Sequence, residues 1–269
     1  MKKVFFGTLY LALLAGVWLG ASSTRLHTWW TDVRTPKLPV AENVSQATTN
    51  TIVNNQNTNT VVSTNTASLP TTKNLAIPFT TQAPGANWDA DHQEFCEEAA
   101  MLMVARYYLG KNFTGTADQE AGLQAVKTWE VKNLGWYFDT TASENAQILR
   151  EHYGLGVRVI ERPTITDIKT AIAAGHPVII PSAGRELGNP NFTGEGPIYH
   201  NLVIRGYTVD GKFITNDPGT RKGEQYVYEQ SVIMNAIHDW VPAGDRTIAA
   251  NGSVATGRRV VLEVTPAGS

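Results

Sequence analysis

The single cysteine of this chain, Cys96, stands where a helix is predicted to begin. The segment CEEAAMLMVARYYLG, residues 96–110, carries apolar residues at helical spacing and ends at Gly110, a common helix stop. A thiol in the first helical turn lies near backbone N–H groups and the positive end of the helix dipole, both of which favour the thiolate. Cys96 is therefore a small buried apolar residue, one partner of an intermolecular disulfide, or a reactive thiol.

A thiol nucleophile also needs a base and a group that orients the base. His200 begins one strand-like run, Asp217 follows the next, and Asp210-Gly211 between them is a strong hairpin signal. Because a hairpin brings the outer ends of its strands together, we expect His200 and Asp217 to be neighbours. The structural alternatives are a histidine packed within a strand and a tight turn at Asn216-Asp217-Pro218-Gly219.

The elements that position these residues follow a simple order, with helical patterns first and most strand-like patterns later. Two of the predicted helices begin with capping boxes, at Thr141/Glu144 and Thr164/Asp167. The predicted elements after the helix at Cys96 are helices within residues 117–135, 140–154 and 164–175, strands at 176–181, on both sides of Asp210-Gly211 and at 258–266, and a loop at 184–198. This order predicts an α+β domain in which N-terminal helices pack on a C-terminal antiparallel sheet.

Three segments together resemble a known family. They are LAIPFTTQAPGANWDADHQEFCEEAAMLM at 75–103, AGHPVIIP at 174–181 and YHNLVIRGYTVDGKFITNDPG at 199–219. Over residues 76–240 the chain is similar to the C39-like family of bacterial cysteine peptidases, which have a papain-like fold. The resemblance implies that Cys96 is the nucleophile, His200 the general base and acid, Asp217 the residue that orients the imidazole, and Gln82 the oxyanion donor. It implies no cofactor.

Two features depart from the pattern of that family. The oxyanion glutamine of papain-like enzymes commonly lies about six positions before the cysteine, where this chain has Ala90; Gln82 and Gln93 are the two candidates here. Glu97 and Glu98 replace the Gly-Pro that follows the cysteine in many relatives. Side chains that face solvent would disturb the thiolate little, because water screens their charge. If they face inward, they either select a cationic substrate group or leave the enzyme weak or inactive.

The N-terminus is predicted to export the chain. Two lysines precede an uncharged, mostly apolar run from Val4 to Ser23. At about 1.5 Å per residue this run would cross a bilayer core of about 30 Å, so residues 1–24 form a transmembrane anchor or a signal peptide. Lysines before such a run favour a cytoplasmic N-terminus, which places the rest of the chain outside the membrane. We expect the protein to be anchored to the outer face of the cytoplasmic membrane or secreted.

Residues 25–75 are predicted to be a disordered linker that leads to a folded domain at 76–269. From residue 43 to residue 72 there is no charged residue, and sixteen of the thirty are Asn or Thr. Such a composition cannot bury enough apolar surface to offset the loss of chain entropy. The linker would hold the domain at a distance from the membrane.

Charge and histidine spacing exclude several other functions. A formal net charge of −2 gives no basic field for nucleic acid, and the six histidines show no metal-ligand spacing. We therefore predict an exported, membrane-tethered cysteine hydrolase that cleaves a peptide or amide bond in a peptide or protein substrate. The alternatives are a cell-wall peptide amidase and a non-catalytic cell-surface binding module that retains the peptidase fold.

Overall fold

The computed structural model describes residues 37–44, 68–248 and 252–268. The chain divides into two units, Met1–Leu38 and Pro39–Ser269. Of the first unit only Lys37 and Leu38 are described, so the predicted anchor or signal peptide at 1–24 lies outside the described residues. Within the described ranges, no helix is long and apolar enough to cross a membrane.

The second unit is built on an antiparallel sheet, which confirms the predicted sheet type. Its spatial order is β2-β9-β3-β4-β5-β6, and β1 also pairs with β4. The strands of this sheet are β1 (Lys73–Asn74), β2 (Gly156–Glu161), β3 (Val178–Ala183), β4 (Tyr199–Tyr207), β5 (Lys212–Asn216), β6 (Tyr226–Glu229) and β9 (Val260–Thr265), and a separate pair is formed by β7 (Val241–Pro242) and β8 (Gly252–Ser253). Every residue of β3 and β4 is buried, so these central strands are covered on both faces.

Within the described residues there are five helices, and the first four follow the predicted local signals. They are α1 (Cys96–Tyr108), α2 (Thr116–Asn133), α3 (Ala142–Glu151), α4 (Ile165–Ala173) and α5 (Gln230–Ala236), with a 3-10 turn at Gly184–Leu187. Both predicted capping boxes are present, at the N-termini of α3 and α4. Gly110 and Gly175 have positive φ angles just after α1 and α4, which is the conformation that glycine adopts readily at a helix end.

The core lies between the helices and the sheet, with α1 packed against β4. All of α1 is buried except Arg106 and Tyr108, so this helix runs through the interior. The elements that were not predicted include β2 between α3 and α4, β6 after the Asp217 turn, and α5. The helices still pack on an antiparallel sheet, and the predicted α+β class is confirmed.

Part of the predicted linker pairs with the sheet. The backbone N–H of Glu42 donates to the carbonyl of Asn74, and the N–H of Ala76 donates back to Glu42. Asn74 and Leu75 are fully or almost fully buried, so contact with the domain begins before the predicted boundary at residue 76. The predicted linker residues at 25–36 and 45–67 lie outside the described part.

Candidate active site

Cys96 is the first residue of α1, as predicted, and its side chain is almost completely buried. The residue as a whole is 6% exposed. It donates a hydrogen bond to Oε2 of Glu97 at 2.9 Å, and it accepts one from the backbone N–H of Asn201 at 3.4 Å. Asn201 directly follows His200 on β4, so this central strand passes the N-terminus of α1 at these two residues.

His200 and Asp217 form a buried pair. The hairpin between β4 and β5 brings them together as expected, with His200 Nε2 2.8 Å from Asp217 Oδ1. Burial alone would raise the pKa of Asp217. The charge of His200 and its hydrogen bond, with smaller contributions from Tyr228 and the N–H of Gly219, outweigh burial and hold this pKa below its ordinary value. Asp217 is therefore a carboxylate at neutral pH and fixes the orientation of the imidazole.

Two residues that sequence reasoning missed support Asp217. The hydroxyl of Tyr228 donates to Asp217 Oδ2 at 2.6 Å, and the amide of Asn189 donates to the same oxygen at 3.1 Å. Asn189 lies in the loop after the 3-10 turn, and Tyr228 lies on β6. A buried carboxylate with several donors keeps its charge and position, so these two residues complete the surroundings of Asp217.

Close packing holds the His200 ring in place. The Phe192 ring meets it edge-on, with 5.4 Å between ring centroids. A Cβ atom at Gly219 would lie 2.9 Å from Phe192 and 3.0 Å from the ring of His200, so glycine is required where the Asp217 turn passes these rings. The imidazole therefore has little freedom to rotate.

No hydrogen bond joins Cys96 to His200 in the described structure, although the two lie on neighbouring elements. The partners of the Cys96 sulfur are Glu97 and Asn201, and the hydrogen bond of the His200 ring is made by Nε2. Because Nε2 is bonded to Asp217, Nδ1 is the ring nitrogen left for the thiol. His200 is thus held in a defined orientation by Asp217, while the Cys96 thiol is hydrogen-bonded to Glu97 and Asn201.

Gln82 lies beside the same site but its amide is already engaged. Its Nε2 donates to the carbonyls of His92 and Gln93 at 2.9 and 3.1 Å, just before α1. Its backbone N–H donates to the carbonyl of Pro218 in the Asp217 turn. The other candidate, Gln93, directs its amide to the carbonyl of Trp88. The position of Gln82 between the helix and the turn suits an oxyanion donor, and its role remains a prediction.

A groove of about 780 Å³ runs along this region. Its lining includes Gln82, Gly219 and Tyr199, each close in space or sequence to the predicted catalytic residues. Glu94 and Asp139 also line it. Burial, and then the charge of Asp139, raise the pKa of Glu94 to about 7. A groove of this volume can accommodate a segment of a peptide.

Glu97 and Glu98 face inward, which decides the question left open by the sequence. They are 1% and 0% exposed, respectively. Burial, then the negative charge that Glu97 carries when it is ionised and its hydrogen bond to the thiol, raise the pKa of the Cys96 thiol well above its ordinary value, and the N–H of Asn201 only partly opposes this. The thiol is therefore protonated in the conformation described.

His92 is not an alternative base for Cys96, although the two are close in sequence. Its Nδ1 is hydrogen-bonded to Asp89 at 2.7 Å and its Nε2 to Glu120 at 2.8 Å, so both ring nitrogens are occupied. Burial alone would lower the pKa of His92, but the hydrogen bonds to Glu120 and Asp89 outweigh it and raise this pKa. The ring ties the segment before α1 to α2.

Comparison with known proteins identifies the family of the chain. A sequence model of the Peptidase_C39 like family matches residues 74–248, which is more than half of the chain and includes Cys96, His200 and Asp217. No curated protein matches the chain. Among solved structures, a Bacillus anthracis protein assigned to the C39-like peptidases is similar, with a TM-score of 0.45 and 15% identity over 73% of this chain and 98% of that chain. The chain belongs to the Peptidase_C39 like family, and this assignment supports a cysteine peptidase with a peptide or protein substrate.

Proposed function

We propose that this protein hydrolyses a peptide or amide bond through an acyl-thioester on Cys96. The observation that carries the proposal is the buried His200–Asp217 pair, 2.8 Å apart, on the strand whose next N–H lies 3.4 Å from the Cys96 sulfur. A nucleophile at a helix start, a fixed imidazole and a carboxylate behind it are the three parts that acyl transfer by a thiol requires.

The proposed reaction begins when Nδ1 of His200 takes the proton of the Cys96 thiol. The thiolate attacks the substrate carbonyl, and the amide of Gln82 together with the backbone N–H of Cys96 stabilises the oxyanion. His200 then gives its proton to the leaving amine, and the thioester remains on Cys96. His200 next activates a water molecule that hydrolyses the thioester and frees the thiol. No cofactor takes part in these steps.

For this reaction the thiol proton must change its acceptor. In the structure the S–H bond donates to Glu97, so this bond turns toward His200 before proton transfer while the sulfur stays beside Glu97. The amide of Gln82 must likewise release at least one of its two carbonyl acceptors to reach an oxyanion. Catalytic hydrogen bonds often form only in the substrate complex, so a resting arrangement of this kind is compatible with catalysis.

A second candidate function is a binding module that keeps the peptidase fold without catalysis. The hydrogen bond between Cys96 and Glu97 favours it, because it keeps the thiol protonated and away from the imidazole. In that case the groove would hold a peptide without cleaving it.

Thiol alkylation in the full-length chain distinguishes the two functions. Because Cys96 is the only cysteine, iodoacetamide reports on this thiol alone. We expect the wild type to react well below the ordinary thiol pKa of about 8.5, and the variant His200→Ala to react at least about tenfold more slowly near pH 6. His152→Ala is the control, since this half-buried histidine packs against Trp129 and Tyr153 and should leave the rate unchanged.

Equal alkylation profiles in the wild type and His200→Ala would contradict catalysis and favour the binding module. A thiol that titrates in both proteins as a free cysteine does would lead to the same conclusion.

We further propose that the chain is exported and tethered to the membrane by residues 1–24, with residues 25–75 as the linker. The support is the apolar run from Val4 to Ser23 behind two lysines. Fractionation of cells that express the chain with and without residues 1–24 tests it. We expect membrane association of the full chain and its loss in the truncated one. A soluble intracellular full-length chain would contradict the proposal.

A further inference from the structure

Glu97 has an unusual environment for a glutamate beside a nucleophile. Its side chain is 1% exposed, and Oε2 lies 2.9 Å from the Cys96 sulfur. Its other oxygen, Oε1, is buried and has no hydrogen-bond partner among the described residues. An acidic side chain in such a place is either a charge without compensation or a neutral acid.

The groups around Glu97 are predominantly acidic. The titratable groups that interact with it come from its own helix, from α2, from the segment after α2 and from β4, and they are Cys96, Glu98, Glu130, Asp139 and Tyr199. Among the described residues, Lys127 of α2 pairs with Asp91 and Arg246 pairs with Glu144, so neither of these basic side chains is paired with Glu97. None of the described ion pairs involves Glu97, Glu98 or Glu130.

The buried pair Glu98 and Glu130 also indicates that carboxyl groups in this region keep a proton. The oxygens of Glu98 and Glu130 are buried without donors from other residues, and the two carboxyl groups interact with each other. Two ionised carboxylates can only accept hydrogen bonds, so the pair needs a proton to hold it together. In the described part of the chain, this acidic group does not have the arrangement of a metal site.

Burying several carboxylates without a cation is costly, and a carboxyl group in that position retains its proton instead. Burial, then the charges of Glu98 and Asp139, raise the pKa of Glu97 well above its ordinary value. With its proton, Glu97 has an O–H group 2.9 Å from the sulfur and can donate as well as accept.

We propose that Glu97 is a neutral carboxylic acid that donates a hydrogen bond to the Cys96 thiolate. The inference rests on the proposed role of Cys96 as nucleophile. When the S–H bond breaks, the proton passes to His200 and the electron pair stays on sulfur. Glu97 keeps its own proton and turns from acceptor to donor. The thiolate then has two donors, the Glu97 O–H and the Asn201 N–H. Glu97 is thus a catalytic residue that the resemblance did not assign.

Substitutions at Glu97 separate a neutral donor from a charge. Glu97→Gln is neutral at every pH and places an amide N–H₂ near the sulfur, whereas Glu97→Met fills a similar volume and donates nothing. In the full-length chain near pH 7, we expect alkylation of Glu97→Gln within about threefold of the wild type, and of Glu97→Met about tenfold slower. Glu98→Gln, equally buried and not bonded to the sulfur, is the matched control and should stay within about threefold.

An ionised Glu97 would change the alkylation rates of the variants in the opposite direction. If Glu97 were ionised, both substitutions would remove a buried negative charge next to the thiolate, and both variants would react about tenfold faster or more. Equal rates in the wild type and Glu97→Met would also overturn the proposal, because the donor would then contribute nothing. A Glu97→Gln rate more than tenfold away from the wild type in either direction contradicts it.

Difference infrared spectroscopy reads the proton on Glu97 without relying on thiol reactivity. Subtracting the Glu97→Gln spectrum from the wild-type spectrum near pH 7 should show the carbonyl band of one protonated carboxylic acid. A carboxylate band in its place overturns the proposal. If the proposed hydrolase function fails, the infrared result still stands, so failure of the two proposals can be told apart.

Discussion

Replacing Cys96 with alanine is expected to lower peptide hydrolysis by about 10⁴-fold or more, since it removes the only atom in the site able to form the acyl-thioester. Cys96→Ser should lose nearly as much activity. A serine hydroxyl can keep the hydrogen bonds to Glu97 and Asn201, but it is a far weaker nucleophile than a thiol at neutral pH. The measurement is the appearance of new N-termini in a peptide mixture, followed by mass spectrometry.

The melting temperatures of these two variants show whether a loss of activity comes from the missing thiol or from damage to the fold. Both side chains fit the volume of the thiol, so we expect melting temperatures within a few degrees of the wild type. Ser182→Ala is a matched control. It removes a buried hydroxyl that donates to the backbone carbonyl of His200, and it should cost less than about tenfold in activity. A Cys96→Ala protein that retains a tenth of the wild-type activity would exclude Cys96 as nucleophile.

Local patterns predicted the helices and the hairpin because their causes lie within a few residues of one another. A capping box needs only Thr141 and Glu144, and both side chains bond to the backbone as the spacing requires. The turn at Asp210-Gly211 likewise fixes the pairing of β4 with β5, which places His200 beside Asp217. The predicted proximity of His200 and Asp217 thus depended on a short turn, and the two side chains are indeed hydrogen-bonded.

The elements that were missed depend on distant partners. Strand β2 pairs with β9 about a hundred residues later in the chain, as in the register of Gly156 with Thr265. Tyr228 reaches Asp217 only because β6 pairs with β5. Hydrophobic periodicity does not indicate which distant strand a segment pairs with, because that pairing depends on the whole sheet. Asn189 lies in a predicted loop, and nothing in a Gly- and Pro-rich segment indicates which polar residue turns inward.

The burial of Glu97 and Glu98 could not be predicted for a different reason. The spacing of apolar residues indicates which face of a helix is buried when the opposite face is exposed to solvent. Helix α1 is covered on nearly all sides, so its periodicity does not distinguish an outer face. Acidic residues are rarely fully buried, and the general rule therefore favoured solvent. Their inward position is the feature of this site that most needs a chemical explanation.

The second large effect is expected at Asp217. Asp217→Ala should lower kcat by about 10²- to 10³-fold, because the imidazole loses the acceptor that fixes its orientation and stabilises its charge. Asp217→Asn should lose only about tenfold. Its amide oxygen can still accept from His200 Nε2, while its N–H₂ group would meet Asn189, itself a donor to Oδ2. The measurement is kcat for a cleaved peptide in all three proteins.

The pH dependence of stability separates the role of Asp217 in catalysis from its role in folding. Its folded pKa lies below the ordinary value, so its stabilising contribution is present above the ordinary Asp pKa of about 3.9 and is lost as the pH falls through the folded pKa. Above about pH 5 the titration of Asp217 itself should therefore add no pH dependence to the difference in unfolding free energy between wild type and Asp217→Asn, and this contribution should shrink as the pH falls below about 4.

Tyr228→Phe provides the matched control, because it removes one donor to Asp217 and leaves the contact with His200. We expect a loss of less than about tenfold in kcat. If Asp217→Ala and Tyr228→Phe lower kcat equally, or if Asp217→Ala loses less than tenfold, the carboxylate does not orient the base. The turn at Asn216-Asp217-Pro218-Gly219 would then be structural, as the sequence alternative allowed. A graded series of Ala, Asn and Phe variants would show that Asp217 serves His200 directly and that Tyr228 serves Asp217.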